Sequence, residues 1–509
     1  MFALEHPAIF GCDTIADVGR KIKKTKDKSF MNYSIPKAIA HAKAWYHTTK
    51  ESGQLPYAII LGFSIYTPFE DFILKLTLMP KPVLTLLGLV PELALYILMG
   101  KVFYDRIQAG KKIRITPIDP LVIALFISIT ISIIINKASL PGSIKNIRAV
   151  WRYLAVYYTV ANIDISIPQL QQILNVVRIS GLIQALVASL QFFLPSQVSQ
   201  ILFAPKGSNA AQGALEHKGA NFGTFGDNAI LAGFLLVITI VWLVYVLGPS
   251  PFVYNVKDAA SMLAIYFGIF ASKKRATLMF LLIVPLIILI YFKRFQAVLK
   301  ILWSVLALGL IASFLLPLLN FETSYVGGKF SGSEESFDIT SYFLTIFSAE
   351  YWQHTAEASR GWMIITICRS IVMSGSIFGF GPELGSVRKK IQQLLTEPED
   401  QVLLENNLFV YEDPYWFGVL GFIGFPGLLL YWMILLRIFQ YANVLIRMTS
   451  SQEYKNLGVI VKTLTQVAFF YGFIERIFKL RPFAFYFWLL AGLAVNAYYV
   501  ERKKRLTGT

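Results

Sequence analysis

Charged residues and cysteines are scarce in this sequence. Only 15% of its 509 residues are charged, whereas a soluble chain carries about a quarter. The two cysteines, Cys12 and Cys368, are too few for a cysteine metal cluster and too far apart to suggest a small disulfide-stabilised fold. The period-2 alternation of a transmembrane β-barrel is also absent. These absences argue against a soluble enzyme and a secreted disulfide scaffold, and they leave a chain that is 55% hydrophobic.

Long apolar windows are what the sequence has in quantity. Windows of about 20 apolar residues, the length that crosses a bilayer as a helix, recur along the chain. They predict an all-α polytopic membrane protein with about 12 transmembrane helices and one large external loop before the tenth. The predicted order is a basic leader at 1–54, helices one to nine in 55–319, the external loop with an amphipathic helix in 320–415, helices ten to twelve in 416–500, and a basic tail at 501–509.

The excess of basic residues predicts the orientation. The formal net charge is +17, and the Lys and Arg residues lie at the ends of apolar windows, as the positive-inside rule requires. We therefore predict a multi-pass protein of the cytoplasmic (inner) membrane with both termini in the cytoplasm, a periplasmic-side loop and no nucleic-acid partner. The predicted topology places one basic run, Lys273–Arg275, on the external side against this bias. Either a binding function holds the run there or the helix count is wrong by one.

Two features within the first nine helices suggest polar sites. Arg148 and Arg152 are four residues apart, so one helix face carries both. Charges within a span face a cavity or snorkel to the interface. Asp227 and Asn228 follow a glycine-rich stretch, and they either cap the next helix or precede an N-terminus that attracts an anion. Both interpretations of each feature are open at this point.

The longest polar insertion, from Glu357 to Tyr431, contains most of the residues suited to chemistry. It holds no DxD-type metal motif, so we expect no metal, and any phosphate would be bound by side-chain cations. Arg360 and Arg275 are the best candidates, because guanidinium stays charged and offers phosphate two donors. The alternatives are an ion pair within the loop for Arg360 and a snorkelling charge for Arg275. Trp362 either stacks on a sugar or belongs to the interfacial aromatic belt.

Glu412 and Asp413 are the acids closest to the tenth predicted helix. A carboxylate at the edge of the lipid is suited to accept a proton from a hydroxyl or to orient it. The alternative is structural, since Asp413-Pro414 is a turn signal.

The order of four short motifs resembles the O-antigen ligase and O-antigen polymerase superfamily. They are GTFGDNAILAGFL (Gly223–Leu235), SKKRAT (Ser272–Thr277), SRGW (Ser359–Trp362) and FGFGPE (Phe378–Glu383). The resemblance implies a metal-independent membrane glycosyltransferase whose donor is a polyprenyl-pyrophosphate-linked glycan, and we expect no cofactor. It further implies membrane lipid and other polysaccharide-assembly proteins, such as a flippase or a chain-length regulator, as partners.

The sequence departs from that family at two places. The family's ligases carry a His beside an Asn in the large loop as the proposed base, and here Glu412-Asp413-Pro414 stands instead. The Arg expected before GTFG is replaced by Lys218 or Asn221. Polymerase and ligase activities both remain open.

The resulting hypothesis is an inverting transferase that polymerises or ligates lipid-linked oligosaccharide for a cell-surface polysaccharide. The alternatives are a transporter of a small anion or lipid-linked sugar, and a non-catalytic assembly protein of the same fold. The predicted catalytic residues are Glu412, Asp413 and Arg360, and the predicted binding residues are Arg275, Arg360, Lys218, Arg152 and Trp362.

Overall fold

The computed structural model describes residues 54–76, 83, 87–194, 196–203, 221–248, 255–297, 299, 360–395, 401–402, 404 and 413–507. The chain forms two units, Met1–Ala58 and Ile59–Thr509, and the site considered below lies in the second. Secondary structure in the described residues is helical throughout, with no strand among them. The predicted all-α class is therefore confirmed for this part of the chain.

The described α-helices are numbered here in chain order. They are α1 (Leu55–Tyr66), α2 (Glu70–Leu76), α3 (Val90–Gln108), α4 (Asp119–Asn136), α5 (Leu140–Trp151), α6 (Leu154–Asn162), α7 (Ile167–Phe193), α8 (Ser196–Phe203), α9 (Asn228–Leu247), α10 (Val256–Ala271), α11 (Arg275–Tyr291), α12 (Arg360–Ser374), α13 (Leu384–Leu394), α14 (Tyr415–Met448), α15 (Gln452–Tyr471) and α16 (Arg481–Thr507). Short 3₁₀ turns cover Thr67–Phe69 and Ile477–Lys479.

Six helical segments of the described chain are long and apolar enough to cross a membrane. They are Leu55–Leu74, Asp119–Asn136, Ile167–Phe193, Asn228–Leu247, Tyr415–Met448 and Arg481–Thr507. This supports a helical membrane protein, but the count of about twelve is not confirmed. The predicted ninth helix, at 301–319, lies outside the described residues, and several other predicted spans form shorter or less apolar helices.

The centre of the helix packing is formed by α9 and α16. Their most apolar windows are 78% and 83% buried by protein, against 28% for α4. α16 also packs closely against α6, because it carries Gly492 at the contact. An added Cβ there would lie 2.8 Å from the carbonyl oxygen of Tyr157 in α6. Asn496 of α16 donates a hydrogen bond of 2.9 Å to the carbonyl of Val160, which fixes the same pair of helices.

The predicted fourth span is interrupted. The sequence predicts one helix over 144–163, and this is wrong, because α5 ends at Trp151 and α6 begins at Leu154. Tyr153 between them has φ −111° and ψ 7°, outside the helical range. The prediction that Arg148 and Arg152 share a face nevertheless agrees with the structure, since both contact Glu92.

A backbone kink divides α14. Gly424 has φ 70° and ψ −169°, a conformation essentially limited to glycine, and Pro426 follows it. The glycine turn of the FGFGPE motif packs directly against this kink. Phe380 donates its N–H to the carbonyl of Gly421 at 2.8 Å, and Phe425 donates to Ile377 at 3.0 Å. An added Cβ on Gly379 would lie 2.6 Å from the nitrogen of Gly424, so the two backbones touch.

Candidate functional site

The GTFGDN turn before α9 is held rigidly by two buried glutamines of α7. Gln184 donates to the hydroxyl of Thr224 at 2.6 Å and accepts the N–H of Thr224 at 3.0 Å. Gln191 accepts the N–H of Gly223 at 2.8 Å. Gly223 itself has φ +62°, the left-handed conformation that favours glycine. These bonds satisfy buried backbone groups that would otherwise be costly, so the turn has a fixed place.

The SKKRAT turn lies directly against the GTFGDN turn. Asn221 donates its N–H to the carbonyl of Ala271 at 3.0 Å, and the side chain of Asn228 donates to the carbonyl of Ser272 at 2.9 Å. Lys273 adopts φ 54° in the turn between α10 and α11. Two of the four motifs that carry the family resemblance are therefore neighbours.

Arg476, between α15 and α16, pairs with two acids from distant parts of the chain. Its Nη2 lies 2.9 Å from Oδ2 of Asp227, and its Nε lies 3.8 Å from Oδ1 of Asp413. Asp227 also caps α9 by accepting the N–H of Ala229 at 2.8 Å, so the capping interpretation of Asp227 holds. Burial alone would lower the pKa of Arg476, but the carboxylates of Asp227, Asp413 and Glu475 outweigh burial and raise that pKa.

The neighbouring residue, Glu475, connects this cluster to the SKKRAT turn. Glu475 is only 3% exposed, and its Oε1 lies 3.7 Å from Nζ of Lys274. One turn earlier in α15, Tyr471 shares a hydrogen bond of 2.7 Å with the hydroxyl of Thr277. The segment between α15 and α16 thus joins the basic turn at the start of α11 to the carboxylate of Asp413 at the start of α14.

A cavity of about 140 Å³ lies on the other side of the GTFGDN turn. Glu70, which is 6% exposed, pairs with Arg481 at 3.0 Å in its wall. Asp71 accepts the N–H of Gly226 at 3.4 Å, so the cavity is one residue away from Asp227. The acids of α2 and Arg481 at the start of α16 therefore adjoin the Arg476 cluster through the backbone of Gly226.

A third ion-pair group surrounds Glu92 of α3. Arg148 donates to both carboxylate oxygens, at 2.6 and 2.7 Å, and Nε of Arg152 lies 2.5 Å from Oε1. Arg152 was predicted to bind phosphate, and in the structure its charge is shared with a carboxylate. The trio of two guanidiniums and one carboxylate keeps a net charge of +1.

The aromatic residues at the start of α14 are core residues. Tyr415 and Trp416 are 2% and 1% exposed, and the indole of Trp416 donates to the carbonyl of Phe469 at 2.7 Å. An added Cβ on Gly472 would lie within 2.6 Å of the same indole, so glycine is needed there for packing.

Trp362 is 6% exposed and offers little ring surface to a sugar in this structure, so its binding role stays a prediction.

The glycine-rich FGFGPE motif has a structural explanation. Its turn packs on the kink of α14, and Asn136 at the end of α4 donates to the carbonyl of Gly379 at 3.0 Å. Glu383 accepts hydrogen bonds from the N–H and hydroxyl of Ser139, at 2.8 and 2.6 Å. These bonds, the side-chain one foremost, hold the pKa of Glu383 below its usual range.

Several predicted site residues lie outside the described residues. Glu412 and Lys218 are among them, and so are the side chains of Arg275 and Arg360. The backbones of the two arginines begin α11 and α12 respectively. The structure therefore links Asp413 to the SKKRAT turn through Arg476 and Glu475, and the roles of all five residues stay predictions.

Sequence reasoning missed the basic segment between α15 and α16. Arg476, Lys479 and Arg481 lie within six residues, and the predicted topology places them outside, against the positive-inside bias. The same signal singled out Lys273–Arg275, so it could have identified this segment too. Acidic partners for Arg476 were not predictable, because Asp227 is 249 positions away.

No protein-family model matches the chain, and no curated protein is significantly similar to it in sequence. Within the described part of the chain, no group of three His, Cys, Asp or Glu side chains could hold a metal ion. The metal-free chemistry stays a prediction, and the candidate site has to be judged on its own geometry.

Proposed function

We propose that this chain is a membrane glycosyltransferase that polymerises or ligates polyprenyl-pyrophosphate-linked oligosaccharide for a cell-surface polysaccharide. The proposal includes about twelve transmembrane helices, both termini in the cytoplasm and the 320–415 loop on the external side of the inner membrane. It also includes inversion at the anomeric carbon, without metal or cofactor.

One observation carries the proposal. Adjacent residues Glu475 and Arg476 contact Lys274 of the SKKRAT turn and Asp413, at 3.7 and 3.8 Å. A basic turn and a candidate acid are therefore linked through two adjacent residues, Glu475 and Arg476. A lipid diphosphate leaving group needs cations, and an acceptor hydroxyl needs a carboxylate, so this pairing supports a transferase.

The proposed roles follow from the charges. Arg360 and Arg275 bind the pyrophosphate, with Lys218 and Arg152 as helpers, because guanidinium and ammonium groups stabilise negative charge that develops on a leaving group. Lys274 adds a cation next to Arg275.

Glu412 or Asp413 receives the proton of the acceptor hydroxyl. The hydroxyl oxygen then bonds to the anomeric carbon, the bond from that carbon to the phosphate oxygen breaks, and polyprenyl pyrophosphate leaves with the electron pair. Arg476 is a positioning residue, which orients Asp413 through their ion pair.

The test uses a deletion strain complemented with single variants. Arg360→Ala and Asp413→Asn should abolish or shorten the polymer, and Arg437→Ala is the matched control, since Arg437 is exposed and hydrogen-bonds to Gln440 on its own helix. Accumulation of single lipid-linked repeats identifies a polymerase, and accumulation of long lipid-linked chains identifies a ligase. Normal polymer from both variants at normal protein levels would refute the assigned residues.

A transporter is the second candidate, and a specific observation favours it. The chain has helix breaks at Gly424 in α14 and at Tyr153 between α5 and α6, and transporters build their sites from discontinuous helices. Proteoliposomes separate the two functions. Movement of a lipid-linked sugar or small anion across the bilayer, with no glycan bond formed, would favour the transporter.

A further inference from the structure

The cavity beside Glu70, Asp71 and Arg481 differs in charge from the proposed pyrophosphate site. Its wall carries two carboxylates and one guanidinium, a net charge of −1, whereas the SKKRAT turn carries three consecutive basic residues. This lining is less favourable for a phosphate group than the SKKRAT turn is, so the two sites would take different parts of a substrate.

The composition of the wall suits a sugar. Glu70 and Asp71 can accept hydrogen bonds from hydroxyl groups, and Arg481 can donate to them. Ile230 supplies an apolar contact for the C–H face of a sugar ring. Sugar hydroxyls both donate and accept, so a wall that offers both kinds of group matches them.

The size and place of the cavity agree with this. A volume of about 140 Å³ is close to the ~150 Å³ of a protein cavity that binds benzene, so the cavity has the size for one six-membered ring. Asp71 contacts Gly226 at 3.4 Å, and the next residue, Asp227, pairs with Arg476. A sugar in the cavity therefore lies beside the cluster that contains Asp413.

We propose that this cavity is the subsite for a sugar ring of the acceptor glycan, held by hydrogen bonds to Glu70, Asp71 and Arg481. The proposal rests on the proposed transferase function and names a part of its substrate site. It assigns Asp71 to recognition of the acceptor and leaves the proton transfer to Glu412 or Asp413.

Binding of two separate probes to the purified full-length protein tests the assignment. The first probe is the free oligosaccharide released by mild acid from the host's lipid-linked glycan, with binding followed by saturation-transfer NMR. The second is inorganic pyrophosphate. Asp71→Asn should weaken oligosaccharide binding about tenfold, as expected for one hydrogen bond to a charged group, and leave pyrophosphate binding unchanged.

Three other variants complete the design. Ile230→Phe fills the cavity and should also weaken oligosaccharide binding, without removing a charge. Arg275→Ala should weaken pyrophosphate binding and leave oligosaccharide binding unchanged. Asp105→Asn is the control carboxylate, because Asp105 is exposed and pairs with Lys101 on the same helix.

The outcomes separate the two proposals. Unchanged oligosaccharide binding in both Asp71→Asn and Ile230→Phe overturns the subsite, even if the wild type makes polymer. A third result would overturn the subsite in favour of a cation site. In it, sodium raises the melting temperature of the wild type more than choline does, Asp71→Asn loses this effect, and sugar binding is unaffected. A wild type that binds neither probe and makes no glycan bond contradicts the transferase function itself.

Discussion

Replacing Gly424 by Ala should disrupt the packing of the FGFGPE turn against α14. The backbone of Gly424, at φ 70° and ψ −169°, lies in a region that costs a non-glycine residue about 1–3 kcal/mol. A Cβ there would also overlap the carbonyl oxygen of Ile377. Relieving that overlap breaks two backbone hydrogen bonds, from Phe425 to Ile377 and from Phe380 to Gly421, at about 1 kcal/mol each. We expect a total loss of about 3–5 kcal/mol.

The measurement is the apparent melting temperature of the purified protein in detergent. Gly385→Ala is the matched control, because Gly385 follows the same turn, has open space around its Cβ position and lies in α13. Ala is a better helix former than Gly, so the control should be neutral or slightly stabilising. If Gly424→Ala has the same apparent melting temperature as the wild type, the FGFGPE turn and the kink of α14 do not pack as described. The FGFGPE glycines would then need another explanation, such as close approach to a ligand.

Three further outcomes are expected from the ion pairs and from the hydrogen bonds of Glu383. Arg476→Gln removes the cation between two carboxylates and should cost about 1 kcal/mol in the same melting assay, because the side chain is 38% exposed and solvent screens its ion pairs. Arg476→Lys should recover part of this loss, and equal stability of wild type and Arg476→Gln would contradict the pairing. Because hydrogen bonds from Ser139 lower the pKa of Glu383, their stabilisation of the α13 docking is fully present above about pH 4.3 and is lost as pH falls through the lower folded pKa. A spin label on the exposed face of α13 should gain mobility over that acidic range, and in Glu383→Gln the mobility should not depend on pH. Glu92→Gln should destabilise the protein by about 3 kcal/mol, since it leaves two guanidiniums without their carboxylate. The double variant Glu92→Gln/Arg152→Gln should recover part of that loss, and a double variant as unstable as the single one would count against the ion-pair account.

The helical segments themselves were largely predictable from the sequence. The third predicted span, at 121–135, corresponds to α4 (Asp119–Asn136), and the sixth, at 229–247, corresponds to α9 (Asn228–Leu247). Both are uninterrupted apolar runs, and a helix is the conformation that satisfies the backbone of such a run in lipid. The fourth span failed as a single helix because Tyr153 leaves the helical conformation, which hydropathy does not register.

The candidate site was predictable only in its parts. The positive-inside rule marked Lys273–Arg275 as unusual, and the insertion before α14 drew attention to Asp413. No local pattern indicated that Arg476 would pair with Asp413, or that Lys274 would pair with Glu475. Ion pairing depends on distance in space, and the residues of these pairs belong to different helices and loops.

Hydropathy and charge placement act on each segment separately, so they were enough to identify an apolar helical chain with polar residues collected in a few short motifs. The contacts between those motifs are visible only in the folded chain. The glycines of FGFGPE pack against the kink at Gly424, and Asp227 and Asp413 share Arg476. Backbone contact and charge pairing are short-range interactions. They can be assigned only after the packing of the helices has brought distant residues together.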